Sequence, residues 1–290
     1  MSDAKSVRKE THPRVTTPGS SRLSGNSFGR RGTPGHHNRA VRHQSADALV
    51  LGTYPLREKD RIVSFLTRDA GKKRGVARGA RGTRNAYSGA LEPMTEARIF
   101  YFEKDGQELV SINSADILRS SFPLSKDLDR GLLVSAMAES LQTFVSEDDP
   151  AEPFYRLARH SLDALFADAP ADWVAAYFDV WILKLSGLFP SPSECAVCGG
   201  ALDRSGALLY DEARPGFVHA SCRRGEAVRL SAEGRETLRR ILSAPLDPDA
   251  RPPAVSEVAA VARRARRHFL GHELKSQRVL EDVRDEKPLR

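Results

Sequence analysis

Short apolar runs separated by turn residues occupy the chain from about residue 46 to residue 113. The runs read ADALVLGTY, DRIVSFLT, RGVARGA, EARIFYFE and QELVSIN, and they are divided by Pro55, Gly71, Gly82, Gly89 and Asp105-Gly106. Such runs predict β-strands, and the Asp-Gly pair predicts a tight hairpin between the last two. Five short strands predict a small closed β-barrel, and the OB-type barrel is the commonest one that binds nucleic acid.

The apolar period changes from 2 to 3.6 after Ser120, which predicts a helical region. The helical stripes are Leu133, Met137, Leu141 and Phe144, then Phe154, Leu157, Leu162, Leu165 and Phe166, then Trp173, Tyr177, Trp181 and Leu185. The third helix is predicted to begin at an Asp172 N-cap and to end at Gly187 and Pro190. Base stacking is an alternative role for the aromatic residues, but their i, i+4 spacing favours packing in a core.

These patterns predict an α+β multidomain protein. We expect a disordered basic tail over 1–44, an OB-fold DNA-binding domain over 45–118, a helical domain over 119–190, a zinc-knuckle insert over 191–226, and C-terminal helices over 227–290 that pack on the helical domain and have a frayed end. In the last region, helices are predicted near Ser231–Ser243 and Val255–Lys275, joined by the proline-rich loop APLDPDARPPA.

Charge is distributed unevenly along the chain. The formal net charge is +7, and residues 1–44 alone carry nine Lys/Arg against two acids. This segment is rich in Pro, Gly, Ser and Thr and has few apolar residues, so we expect it to be disordered. It either adds nonspecific phosphate contacts or is a solvated extension or a mispredicted start. A transit peptide is a further alternative, although the segment has few apolar residues for an amphipathic face.

A second basic stretch runs from Arg57 to Arg84 through the predicted barrel strands, with ten Lys/Arg against three acids. Buried-type residues such as Ile62, Phe65 and Val76 are spaced through it, so the charge is carried on a folded surface. Basic charge on a β scaffold is typical of a surface that binds a phosphate backbone. We therefore predict nucleic-acid contacts from Arg57, Lys59, Arg61, Lys72, Lys73, Arg74, Arg78, Arg81 and Arg84. Tyr54, Tyr87 and Tyr101 are candidates for stacking on bases.

The Cys/Gly-rich insert contains two pairs of potential metal ligands, each with two residues between them. They are Cys195 and Cys198, followed by His219 and Cys222. This spacing matches a tetrahedral zinc knuckle, and four protein ligands would make the zinc structural rather than catalytic. The alternative is a vestigial site that folds without metal. Three cysteines, two of them in a Cys-x2-Cys pair, indicate a reducing and therefore cytoplasmic compartment.

Several other functions receive little support from the sequence. No apolar stretch is long enough for a membrane helix, and there is no phosphate-binding G-x-x-x-x-G-K-[ST] loop. His268 and His272 have metalloprotease spacing, but Phe269 stands where the general-base Glu is needed. Pro192 before the Cys-x2-Cys pair is reminiscent of zinc deaminases, but no His-x-Glu stands upstream. None of these patterns therefore predicts a catalytic residue.

The segment VARRARRHFLGHELKSQR leaves two interpretations open. Its cations are Arg263, Arg264, Arg266, Arg267, Lys275 and Arg278. They either contact phosphate or an acidic partner, or they form the solvated face of an amphipathic helix. In the second case the residues buried on the opposite face are Val261, Ala265, Phe269 and Leu274.

The order of a basic barrel, a helical bundle, a Cys-x2-Cys knuckle and a last helix resembles the RecO family of bacterial DNA repair proteins. The resemblance depends on ADALVLGTYPLREKDRIVSFLTRDAGKKRGVARGARGTRN, and it is supported by LEPMTEARIFYF and LKLSGLFPSPSECAVCGG. It extends from about residue 46 to about residue 271. Two departures are notable: the family usually has a cysteine where His219 stands, and the first 44 residues have no counterpart.

The resemblance implies a recombination mediator without a catalytic site. Such proteins bind single- and double-stranded DNA, anneal complementary strands, engage single-strand-binding protein and, with RecR, help to load RecA. A cytoplasmic, nucleoid-associated location follows from that role. The alternative from another class is an RNA- or ribosome-binding OB module, and a third is a metal-dependent hydrolase. Competition between single-stranded DNA and RNA, and nuclease activity lost on chelation, would discriminate these alternatives.

Overall fold

The computed structural model describes residues 41–82, 86–87, 89–104 and 106–286. Residues 1–40, which are most of the predicted disordered tail, lie outside the described residues, as does the predicted DNA-binding residue Arg84. Among the helices of the described part, none has the length and apolar character to cross a membrane.

Five strands form the N-terminal sheet: β1 (Val41–Pro55), β2 (Arg61–Thr67), β3 (Lys72–Ala77), β4 (Glu96–Lys104) and β5 (Val110–Arg119). They pair in the order β1-β2-β3-β5-β4, and β4 pairs back onto β1, so the sheet closes into a barrel. All neighbours are antiparallel except β3 and β5. The five predicted strands are confirmed.

The apolar run at the centre of β1 is continuous because both faces of this strand are buried. Ala48 and Val50 belong to the barrel interior, together with Val63, Phe65 and Ile99. Leu49 and Leu51 face the other way and join the core of the helices. A strand that is buried on both sides needs no alternation of polar and apolar residues.

Both ends of the barrel sequence extend further than the apolar pattern predicted. β1 begins at Val41, inside the predicted tail, because residues 41–44 pair with β4 from Val41↔Lys104 to Gln44↔Tyr101. β5 continues to Arg119, which pairs with Glu96. In both places the main-chain ladder with β4 extends the strand beyond the apolar run that predicted it.

The first half of the helical domain contains a short 3-10 turn (Phe122–Lys126), α1 (Leu128–Phe144), α2 (Glu152–Phe166) and α3 (Ala171–Leu185). The aromatic stripe of α3 packs in the core, as predicted. Trp173 Nε1 donates to the Asp247 carbonyl at 3.0 Å, and Trp181 Nε1 donates to the Ile241 carbonyl at 2.8 Å. Pro170 rather than Asp172 is the N-cap of α3, so this predicted start was wrong by two residues.

A small subdomain is inserted between α3 and α4. It contains β6 (Leu208–Asp211), β7 (Gly216–Val218) and β8 (Ala227–Leu230), paired in the order β7-β6-β8, and a 3-10 turn over Ala220–Cys222. The buried Asp211 carboxylate accepts hydrogen bonds from the main-chain N–H groups of Ala213 and Arg224 at 2.8 and 2.6 Å. These bonds fix two turns of the subdomain and hold the pKa of Asp211 below its usual range.

The chain then returns to the bundle as α4 (Ala232–Ser243), α5 (Val255–Leu270) and α6 (Lys275–Glu286). Ser231 caps α4 by accepting from Gly234 N at 3.0 Å, as its sequence position predicted. The predicted single helix from Val255 to Lys275 was wrong. Gly271 adopts a φ of +71° and ends α5, which allows a separate helix to begin four residues later.

The arginines of α5 bind acidic side chains of the protein itself. Arg266 is buried and pairs with Asp179 at 2.9 Å, which ties α5 to α3. Arg266 also lies 3.6 Å from Glu281. The other arginines pair as Arg263 with Glu281, Arg264 with Glu212, and Arg267 with Glu273. The amphipathic interpretation of this helix is therefore confirmed for Val261, Ala265 and Leu274, which are buried. It is wrong for Phe269, which is 56% exposed, and for Arg266, which is buried rather than solvated.

Candidate nucleic-acid interface and metal centre

Five of the predicted nucleic-acid ligands gather at one end of the barrel, and we call this set the basic end. Two lie in the β1–β2 loop, one begins β2, and two follow the end of β3. In chain order they are Arg57, Lys59, Arg61, Arg78 and Arg81. Four of them are exposed and Arg61 is half-buried. Within the described ranges, none of the five forms an ion pair with a carboxylate.

Hydrogen bonds hold the two loops of the basic end together. Arg81 donates through its main-chain N–H to the Lys59 carbonyl at 3.1 Å and through its guanidinium to the Arg57 carbonyl at 3.3 Å. The carboxylate of Asp60 accepts from Gly79 N at 2.9 Å. Because these bonds join the loops, the cations are presented from one scaffold rather than from two independent segments.

A cleft lies between the β1–β2 loop, the end of β3 and the β4–β5 loop. Arg57 and Arg78 line it, together with apolar residues of the floor such as Val76 and Leu109. Glu108 is the acid that lines it on the β4–β5 side. Unpaired guanidinium groups around a partly apolar floor can bind phosphate oxygens while the sugars and bases contact the floor.

The other three described candidates, Lys72, Lys73 and Arg74, have partners within the protein. Lys72 is only 9% exposed, and its Nζ donates to the Gln142 carbonyl of α1 at 2.6 Å. Lys73 Nζ lies 2.8 Å from Glu103 and 2.9 Å from Asp148. Arg74 Nε lies 2.7 Å from Glu147. Through Gln142, Asp148 and Glu147, these three cations join the barrel to the helical domain.

Lys72 and Lys73 differ electrostatically although they are adjacent in the chain. Burial lowers the pKa of Lys72, because a charged ammonium is costly to desolvate and its direct partner is a neutral carbonyl. Burial also acts on Lys73, but the carboxylates of Glu103 and Asp148 outweigh it and raise the pKa of that lysine. Lys73 is therefore firmly charged and already neutralised by two acids.

Gln142 of α1 connects the barrel to the bundle through three groups of atoms. Its amide donates to the Leu51 carbonyl at 2.9 Å, its side-chain oxygen accepts from the Tyr54 hydroxyl, and its own carbonyl accepts from Lys72. A Cβ at Gly52 would lie 3.0 Å from the Gln142 amide, so the small residue permits this approach. This role could not be predicted from the sequence, because a single Gln on a helix has no distinctive spacing.

Two of the three candidate stacking tyrosines are in the barrel core. Tyr87 and Tyr101 are buried, and the Tyr87 hydroxyl donates to the Ile112 carbonyl at 2.9 Å. As candidates for stacking on bases they were therefore wrong, because Tyr101 of β4 faces the barrel interior and Tyr87, which lies in a turn, packs into the same core. Tyr54 is 49% exposed and remains available to a base.

The predicted metal ligands converge. One ligand atom from each of Cys195, Cys198, His219 and Cys222 lies within 4.8 Å of the others, so the four residues could hold a metal ion. Gly199, with a φ of +69°, turns the chain directly after the first pair. Its N–H donates to the Cys195 carbonyl at 2.9 Å, and Cys195 N donates to the Gly200 carbonyl at 2.8 Å. This tight turn brings the first two thiols together.

The surroundings of the cluster select its ligand atoms. His219 Nε2 lies 3.0 Å from the Ala201 carbonyl and donates to it, so Nδ1 is the ring nitrogen that faces the thiols. Burial alone would raise the pKa of Cys195, but hydrogen bonds from the main-chain N–H groups of Cys198, His219 and Val197 lower it to about 6. A thiolate and a neutral imidazole nitrogen are the forms that bind a metal.

The sequence did not predict that three acids contact the basic strand β3. Glu103, Glu147 and Asp148 are adjacent to Lys73 and Arg74 in space but distant in sequence. The consecutive acids Glu147, Asp148 and Asp149 were visible in the sequence, but nothing in their local pattern shows that they reach β3.

Two family models match the chain, described as Recombination protein O N terminal over residues 42–121 and Recombination protein O C terminal over residues 125–278. A protein of Koribacter versatilis (strain Ellin345) named DNA repair protein RecO is 34% identical over 205 residues, or 70% of this chain and 82% of that protein. The protein of the same name from Anaeromyxobacter sp. (strain K) is 30% identical over 241 residues, which cover 81% and 94% of the two chains. A third, from Myxococcus xanthus (strain DK1622), is 30% identical over 228 residues, or 79% and 91%.

Proposed function

The chain belongs to the recombination protein O (RecO) family of DNA repair proteins, and from this premise we propose that it binds and anneals single-stranded DNA through the basic end. The resemblance inferred from the sequence is thus confirmed at the level of the family and of a role in DNA repair. The observation that carries the finer proposal is the set of five cations at the basic end that have no carboxylate partner among the described residues.

We propose that the closed barrel is of the OB type, which is consistent with this assignment. The strand order β1-β2-β3-β5-β4 closes the sheet, and OB folds bind oligonucleotides over strands 2 and 3 and between the loops 1–2 and 4–5. The cleft beside Arg57 and Arg78 lies between these two loops. We therefore place a single strand in this cleft, with its phosphates on the basic end.

Annealing follows from charge neutralisation rather than from catalysis. Two complementary strands repel each other through their phosphates, and cations that bind phosphate on one strand lower that barrier to pairing. Base edges must stay free to pair, and the described interface suits this requirement because Tyr54 is its one exposed candidate aromatic. We propose no catalytic residue and place the protein in the cytoplasm, in contact with the nucleoid.

The metal centre is proposed to hold zinc in a structural role. Tetrahedral zinc with ligand distances of about 2.3 Å to sulfur and about 2.0 Å to nitrogen separates a sulfur and a nitrogen ligand by about 3.5 Å. Cys198 Sγ lies 3.5 Å from His219 Nδ1, and Cys222 Sγ lies 4.0 Å from it. His219 thus fits the position where the family usually has a cysteine, and zinc would join the turn after Cys195 to the strand end before Cys222.

Partner proteins are proposed from the family. RecR and, indirectly, RecA are expected to act with this chain in recombinational repair, and single-strand-binding protein is expected to dock on it. One surface suits a docking peptide that combines an apolar side chain with carboxylates: the groove between α2, α3 and α4. Tyr177, Trp181 and Leu242 line its floor, and Arg156 and His160 lie at its rim.

The experiment that tests the proposal is the annealing of complementary oligonucleotides coated with the cognate single-strand-binding protein. We expect faster annealing with the protein than without it, and no acceleration by a variant that lacks the cations of the basic end. In parallel, competition between single-stranded DNA and RNA tests the RNA-binding alternative. Equal or stronger binding of RNA, with no effect on annealing, would contradict the DNA assignment.

A further inference from the structure

The segment between α1 and α2 lies against the start of β3, and it contains three consecutive acids, Glu147, Asp148 and Asp149. We call these three residues the acidic strap. Glu147 is 2.7 Å from Arg74 Nε, and Asp148 is 2.9 Å from Lys73 Nζ. Carboxylates therefore neutralise Lys73 and Arg74 of β3. In a nucleic-acid-binding barrel of the OB type, this strand contributes to the binding face.

We propose that the acidic strap substitutes for nucleic-acid phosphate on β3, and that a bound strand displaces its carboxylates from Arg74 and, in part, from Lys73. This inference rests on the proposed function, because it assigns a second and latent phosphate site to the same DNA surface. The basic end provides the first contacts, and the β3 cations become available when the strand continues along the barrel.

The carboxylates of the strap are held loosely, whereas its backbone is held firmly. The Asp148 and Arg74 side chains are 66% and 41% exposed, and exposed ion pairs of this kind contribute little stability. The backbone is fixed by Asp148 N, which donates to the Lys72 carbonyl at 2.9 Å. It is also fixed at Gly71, where a Cβ would lie 1.9 Å from the Asp149 carbonyl. The carboxylates can therefore leave the cations without unfolding of the strap.

The partners of Lys72 and Lys73 limit the number of β3 cations that can bind phosphate at the latent site. Lys72 is buried and bound to the Gln142 carbonyl, so it stays a structural residue in both states. Lys73 keeps Glu103 as a partner at 2.8 Å after Asp148 moves away. Arg74 is the cation that the strap neutralises alone. In the unmodified protein a phosphate contact there only replaces the ion pair with Glu147, whereas removal of the strap carboxylates makes it a gain of about one full phosphate contact.

The strap makes β3 selective for long nucleic acid over small anions. A short or isolated anion meets carboxylates that already occupy β3, whereas a strand held at the basic end presents its next phosphates at high local concentration. Displacement is therefore favoured for continuous nucleic acid over small anions. This selectivity requires only competition between carboxylate and phosphate for the same guanidinium group.

The test compares three variants in titrations with a labelled single-stranded oligonucleotide. One added phosphate contact predicts that E147Q/D148N binds about eightfold more tightly than the unmodified protein at 50 mM salt and about threefold more tightly at 200 mM. E147Q alone should retain most of the gain. Adding R74A to E147Q/D148N should remove it, whereas R74A in the unmodified protein should change affinity by less than about twofold.

The matched control is D168N/E236Q, which removes two other exposed acids and releases Arg130 and Arg239 far along the chain from β3. Asp168, like Asp148, has a positive φ, so Asn is introduced into the same backbone conformation in both variants. A gain in the control equal to that of E147Q/D148N, or a gain that survives R74A, would overturn the inference. Failure of the unmodified protein to bind DNA at all would instead refute the proposed function.

Discussion

The most discriminating prediction concerns which lysines and arginines neutralise phosphate. We consider K59A/R78A/R81A, which removes three of the five cations of the basic end. Each phosphate contact on a single strand contributes about 0.7 to the slope of log affinity against log salt. Five contacts give a slope of about −3.5, and the variant should retain about −1.4. The same relation predicts an affinity loss of about a hundredfold at 0.1 M salt and only about fourfold at 0.5 M.

The comparison variant is K72M/K73M. It removes two cations that the sequence analysis predicted to bind nucleic acid in the same way as those of the basic end. Because Lys72 donates to the Gln142 carbonyl and Lys73 is neutralised by Glu103 and Asp148, we expect the salt slope to stay close to −3.5. Stability should fall instead, by about 1–3 kcal/mol for each group left without its partner.

Fluorescence anisotropy with a labelled oligonucleotide at four salt concentrations measures both slopes, and a denaturant melt measures stability. A slope flattened by about 1.4 in K72M/K73M would refute the division of the basic run into exposed and internally paired cations. An unchanged slope in K59A/R78A/R81A would show that the basic end does not contact DNA.

Three further predictions concern the helical domain and its insert. Chelation should lower the melting temperature and release about one zinc per chain, C198S should abolish zinc retention in metal analysis, and H219C should preserve it. D179N should lower the unfolding free energy by about 3 kcal/mol, measured by denaturant titration, because it breaks a buried pair with Arg266. Burial raises the pKa of Tyr210 to about 12. Above pH 10 the unfolded state therefore loses that proton first, and the unfolding free energy should fall less steeply with pH in Y210F than in the unmodified protein.

The sequence predicted elements whose signal is local. The pairing of the last two barrel strands, the apolar strand runs and the aromatic stripe of α3 each have a signal contained within about 20 residues, and these three predictions were confirmed. The Asp-Gly turn itself includes Asp105, which lies outside the described residues. The metal cluster belongs to the same class, because two short ligand pairs define it. The start of β1 and the end of β5 were missed because pairing with β4, rather than side-chain pattern, sets their length.

The sequence could not predict which cations between Arg57 and Arg84 are exposed and which are paired within the protein, because the acids that bind β3 come from distant segments. Glu103 and Asp148 both reach Lys73, and Asp148 lies 75 residues away in the chain. Charge counting treats all ten cations of that run alike. The closed barrel and the strap then determine which of them face solvent and which are neutralised, and that distinction depends on tertiary contacts.

The position of the insert has a consequence for how the chain reaches its native state. The residues of α3 are buried on nearly every side, and α5, which comes after the insert, packs against it. During synthesis α3 therefore stays partly uncovered until about 85 more residues, up to the end of α5, have been made. The proposed zinc, held between Cys195 and Cys222, would close the loop of the insert before α5 is made, and closing a loop of this length removes about 3–4 kcal/mol of chain entropy from the unfolded state. In that case the knuckle would favour the return of the second half of the bundle to the first.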